Sequence, residues 1–107
     1  MLDCTTLREA AGTLAGRYRS LPQSRLRGEP AAAGLALARE LAARAQRIEF
    51  PGREPLPLPD DGIFAVGDQI AVAAHELAAA LEPHPELAGV RDEAVSRIRD
   101  TASRWGL

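Results

Sequence analysis

Lysine and asparagine are missing from this sequence altogether, and cysteine occurs once, as Cys4. All 13 basic residues are arginine. Codons for lysine and asparagine are AT-rich, so their joint absence marks a GC-rich bacterial genome rather than arginine-specific recognition. One cysteine excludes an intrachain disulfide and any CxxC redox or metal motif, and it fits a reducing cytoplasm.

Large apolar side chains are also scarce. Although 46% of the 107 residues are apolar, 21 of them are alanine, and Leu, Ile, Val and Phe together number 24. That share lies just above the level of about 20% below which highly charged chains fail to fold, and the net charge is only −2. A single small folded domain, residues 1–107, with a modest core is expected.

Targeting signals are missing too. The start, MLDCTTLREAAG, has neither a basic n-region nor an apolar h-region. The apolar stretch from Ala65 to Leu81 is broken by Asp68, Gln69, His75 and Glu76, which argues against a bilayer span. A soluble, cytoplasmic protein with no membrane partner is expected. There is no GxGxxG, no phosphate loop and no GxSxG around Ser20, Ser24, Ser96 or Ser103, so nucleotide cofactors and serine hydrolase chemistry have no visible support. Cys4 stands near a helix start, where a dipole lowers a thiol pKa, but no histidine shares its helix.

What is present has helical period throughout, with no alternating strand pattern. The first predicted helix runs from Thr5 or Thr6 to Arg19, with Leu7, Ala11, Leu14 and Tyr18 on one face and a Thr6–Glu9 capping box. The second follows Pro30 and ends near Ile48, with Leu35, Ala38, Leu41 and Ala45 inward. The third, capped by Asp60 or Asp61, places Ile63, Phe64, Gly67, Ile70, Leu77 and Leu81 along one side and stops at Pro83. The fourth starts at Pro85 and leads through Val90, Ala94 and Ile98 to Trp105.

These four helices predict an all-α, four-helix bundle. The EPHP turn is short enough to make the last two helices an antiparallel hairpin, whereas segments 20–29 and 50–61 are longer connections. In the second of these, Pro55, Pro57 and Pro59 alternate with leucines and favour an extended chain. At about 3.1 Å per residue, ten such residues reach roughly 30 Å, the length of a helix of about 20 residues. The second and third helices are therefore free to run parallel.

Histidine chemistry is the main candidate. The letters HELAA, from His75, resemble the zinc protease pattern HExxH, but the second ligand position is Ala79. A looser metal set of His75, Glu82, His84 and Glu86 needs the EPHP turn to fold His84 back, and no metal or other cofactor is assigned. In carrying a histidine on an alanine-rich helix the chain resembles the metal-dependent DinB-like bundles. Those use several helix-borne histidines and a longer chain, so no assignment follows. Asp68 and His75 lie about 10 Å apart along a helix, too far to pair. Asp68, His75 and Glu76 remain as candidate polar groups of an inter-helix pocket for a small molecule.

A basic run, RYRSLPQSRLR, places Arg17, Tyr18, Arg19, Arg25 and Arg27 together as a candidate anion or interface patch. With a sequence pI near 5.7 and no recognition-helix arrangement, nucleic acid is not the expected partner. Charge is split along the chain: nine arginines against five acids through Arg53 (net +4), then four against ten (net −6). This suits either attraction inside one monomer or a self-complementary dimer. The leading expectation is a non-enzymatic bundle acting through protein association as a homodimer, with the small-molecule pocket around His75 as the alternative.

Overall fold

The computed structural model describes Met1–Leu107. It is all-helical, with no strand and five α-helices: α1 (Thr5–Ser20), α2 (Gln23–Leu26), α3 (Glu29–Glu49), α4 (Val66–Leu81) and α5 (Ala88–Arg104). Single 3-10 turns, Ile63–Ala65 and Pro85–Leu87, lead into α4 and α5. Four of the helices are long. The short α2 lies inside segment 20–29, where periodicity predicts only a connection, and buried Leu26 pins it to the core.

The helix starts differ from the expected caps. Cys4, not Thr6, occupies the cap position of α1 and makes no side-chain cap hydrogen bond. Asp3 accepts instead from the Thr5 amide at 2.9 Å, so one free donor is met from one residue further out. Asp60 accepts from the Gly62 amide at 2.9 Å, shaping the turn before α4 rather than capping it. Gly62 has φ +95°, a conformation that costs a residue without Cβ little.

Helix directions follow from the contacts between them. Arg19 of α1 meets Asp68 near the start of α4, while Arg8 meets Glu82 past its end, so α1 and α4 are antiparallel. In α5, Glu93 meets Arg44 and Arg97 meets Glu40, so α5 is antiparallel to α3. Gly34 near the start of α3 lies against Val66 at the start of α4, which makes α3 and α4 parallel. Helix α4 is central, packing chiefly on α3 and α1, and α5 packs on α1 and less on α3. Although a short turn joins α4 to α5, they share little direct contact.

Close approach replaces bulk in this core. A Cβ on Gly67 would lie 2.8 Å from the Ala15 carbonyl oxygen, and one on Gly34 would lie 2.8 Å from Tyr18 Cζ. Only glycine lets α1, α3 and α4 meet this tightly around the buried Tyr18 ring. Its hydroxyl donates to the Pro30 carbonyl at 2.7 Å, and burial pushes its pKa up to about 12. By length and composition Ile63–Leu81 also passes as a membrane-crossing helix, but its inner face is packed as a core helix is.

Phe64 departs from the place that periodicity gives it. It is 72% exposed, and Val66 enters the core in its stead. The turn containing Phe64 is 3-10, at about three residues per turn, so the α-helical spacing does not extend back through it.

The segment between α3 and α4 returns along the groove between them. Gln46 makes a two-way amide pair with Leu56, donating to its carbonyl at 3.0 Å and accepting from its N–H at 2.8 Å. Arg39 donates to the Leu58 carbonyl at 2.9 Å, and Gln69 to that of Pro59 at 2.9 Å. Side chains of both helices thus meet the backbone groups of an extended strap that has no ladder partner.

Candidate interaction surface

The strap and the outward face of α4 form one surface. Its floor is a cavity of about 290 Å³ in which Leu58, Pro59, Ala65, Val72 and Ala73 provide apolar contact. Asp61, Asp68 and Glu76 stand at its margin. Val72 is 58% exposed, and Leu56, two residues before Leu58, is 77% exposed.

Phe64, in the 3-10 turn before α4, and Phe50, just past the end of α3, are also exposed. Phe50 is the residue that ends α3, its N–H donating to the Gln46 carbonyl at 2.7 Å. The Arg53 guanidinium lies 5.8 Å from the centre of the Phe50 ring, a cation–π arrangement. With Met1, Leu56 and Val72, the two phenylalanines are the large apolar residues left exposed. Their sequence signal was available, since α4 carries apolar residues on both faces and the strap spaces Leu56 and Leu58 between prolines.

The histidine site takes a particular form. Asp68 and Glu76 line the cavity, but His75 is exposed and lies outside its lining. Asp68 accepts from Arg19 Nε at 2.8 Å, so its charge is met by α1. His84 lies 3.4 Å from Glu86 through Nδ1. No group of three or more His, Cys, Asp or Glu side chains is placed to hold a metal ion.

The arginine run is dispersed. Tyr18 is buried, Arg19 is turned to α4, and Arg25 reaches the Trp105 carbonyl at 3.5 Å. Arg17 and Arg25 line a shallow groove beside Leu21, Pro22 and Leu107, while Arg27 is exposed beyond α2. Cys4 is buried, and desolvation raises its pKa, opposite to the lowering expected from a helix start.

Much of the split charge meets inside the monomer. Arg8–Glu82, Arg19–Asp68 and Arg44–Glu93 each join an arginine of the basic half to an acid of the other. Arg47, Glu49, Arg53 and Glu54 near one end of the strap, and Asp60 and Asp61 near the other, belong to none of the ion pairs.

Comparison with protein-family models, with curated proteins and with solved structures finds no match to this chain.

Proposed function

We propose that the four long helices form a four-helix bundle that acts, without catalysis, through protein association, as a homodimer in the cytoplasm. The observation that carries this reading is the continuous apolar floor of Leu58, Pro59, Ala65, Val72 and Ala73 beside the strap, edged by Asp61, Asp68 and Glu76, with Val72 58% exposed. Scattered exposed apolar residues are ordinary, whereas a continuous set with a charged margin is the usual composition of a protein interface. An alanine-rich core supports the same reading, because burying small side chains returns little at about 25 cal/mol per Å² and a second copy adds buried area.

Sedimentation of the purified protein at tens of micromolar is expected to give the mass of a dimer, with a melting temperature that rises with protein concentration. Val72→Glu, at an exposed position, is expected to yield a monomer with unchanged helical circular dichroism. A wild-type monomer at that concentration overturns the proposal.

A second reading, a small molecule bound beside Asp68 and Glu76, is favoured only by the cavity of about 290 Å³. That is near the lower end of the usual ligand-pocket range of about 300 to 1,000 Å³. It lies on the same surface, so a ligand there would compete with the partner chain.

A further inference from the structure

We propose that the cavity between the strap and α4 binds a linear diammonium ion, a chain of methylenes with an amine at each end. This rests on the second reading above, a small molecule beside Asp68 and Glu76, and names its chemical class.

The cavity is apolar in the middle and acidic at both ends. Asp68, Val72 and Glu76 follow one another at intervals of four along α4, so they stand in one row on its exposed face. Eight residues separate the two carboxylates, about 12 Å of helical rise, with Val72 between them. Ala73 adds apolar surface beside Val72, and Leu58 and Pro59 supply it from the strap. Pro59 is held at Gln69 and the chain runs from there to the start of α4, so Asp61 lies at the Asp68 end.

The charge at each end sets the charge of the ligand. Arg19 meets Asp68, so the two carboxylates of Asp61 and Asp68 against one guanidinium leave a single negative charge there. Glu76 belongs to no ion pair and supplies a single negative charge at the other end. No arginine or histidine lines the cavity. Arg39 reaches the Leu58 carbonyl from α3 and Asp60 turns to the Gly62 amide; these two opposite charges, like His75, lie outside the lining.

Hydrogen bonding favours the same ligand. The Gln69 amide nitrogen, the one side-chain donor in the lining, is engaged by the Pro59 carbonyl at 2.9 Å, while its Oε1 is buried without a partner. The polar side chains therefore offer acceptors, which suit ammonium groups and repel carboxylates or phosphates. Size agrees as well. At roughly 30 Å³ for each water-sized group, a cavity of about 290 Å³ holds about ten such groups, the size of an eight-carbon chain with an amine at each end. The groove between α1 and α5 is also partly apolar, with Leu14, Ile98 and Leu107, but it mixes Glu9 with Arg17 and Arg99 and so selects no one sign of charge.

Calorimetric titration at low ionic strength with 1,8-diaminooctane, octylamine and octanoate tests the assignment. The diamine is expected to bind one per chain and about fivefold more tightly than octylamine, the contribution of one further exposed ion pair, and octanoate is expected not to bind. Glu76→Gln, at an exposed position, is expected to bring the diamine down to the affinity of octylamine and to leave octylamine unchanged, with circular dichroism checking that the variant is folded. Octanoate binding as tightly as octylamine, or a diamine advantage that survives Glu76→Gln, overturns the diammonium ion while the small-molecule reading stands. Binding of none of the three overturns both, because all three carry the hydrocarbon chain that the floor is proposed to hold.

Discussion

Gly67 shows how much in this protein is decided by single residues. Its place on the inward stripe of the third predicted helix was legible from spacing. The reason for glycine was not, because that reason is the Ala15 carbonyl on another helix, 2.8 Å from where a Cβ would stand. Backbone does not yield as a flexible side chain does, so Gly67→Ala is expected to destabilise by about 1–3 kcal/mol despite alanine's better helix propensity. Gly12 sits in the same kind of helical interior on α1, but a Cβ there would meet nothing within 4 Å. Gly12→Ala is expected to stabilise by about 0.5–1 kcal/mol. Urea denaturation of the two variants beside wild type reads both signs. Phe64 is the complementary case, an aromatic assigned inward by a spacing that its 3-10 turn does not keep.

At the level of elements, α5 is the least anchored long helix, with only Ala94, Val95 and Ile98 buried. Its attachment to α3 relies partly on Arg44, which donates to Glu93 at 2.7 Å and to Glu40 at 3.2 Å, while Arg97 donates to Glu40 at 3.0 Å. The Arg44 hydrogen bond, then its charge, hold the Glu93 carboxyl below the ordinary value of 4.5. Folded Glu93 therefore releases its proton more readily than unfolded Glu93. Its contribution to stability is present above pH 4.5 and fades as pH falls through the lower folded value. Amide exchange in α5 is expected to accelerate over that acid window more than in α4, and Glu93→Gln is expected to flatten the dependence; equal acceleration in both helices would count against it. The sequence revealed the four long helices through periodicity and their prolines, but not α2, whose single turn offers one apolar residue, Leu26. Nor did it reveal that α4 would pack beside α1 and α3 rather than against its chain neighbour α5.

For the whole molecule, the charge division was legible and its use only in part. Three arginines of the basic half pair with acids of the other half inside one chain, which satisfies the monomer, while Arg47, Glu49, Arg53 and Glu54 at one end of the strap and Asp60 and Asp61 at the other remain outside any ion pair. The candidate surface was hidden from sequence reading for a related reason. Leu58 and Pro59 come from the strap and Val72 and Ala73 from α4, and only the return of the strap brings them together. The proline-rich segment did announce its reach, and the parallel placement of α3 and α4 follows from it. That placement also governs how the chain must fold. In a bundle of hairpins each helix finds its neighbour across a short turn, but here the main helix pair closes only after residues far apart in sequence, such as Gly34 and Val66, have met. Search over so long a loop raises contact order, so this all-helical domain should cross its folding barrier more slowly than an up-and-down bundle of the same length.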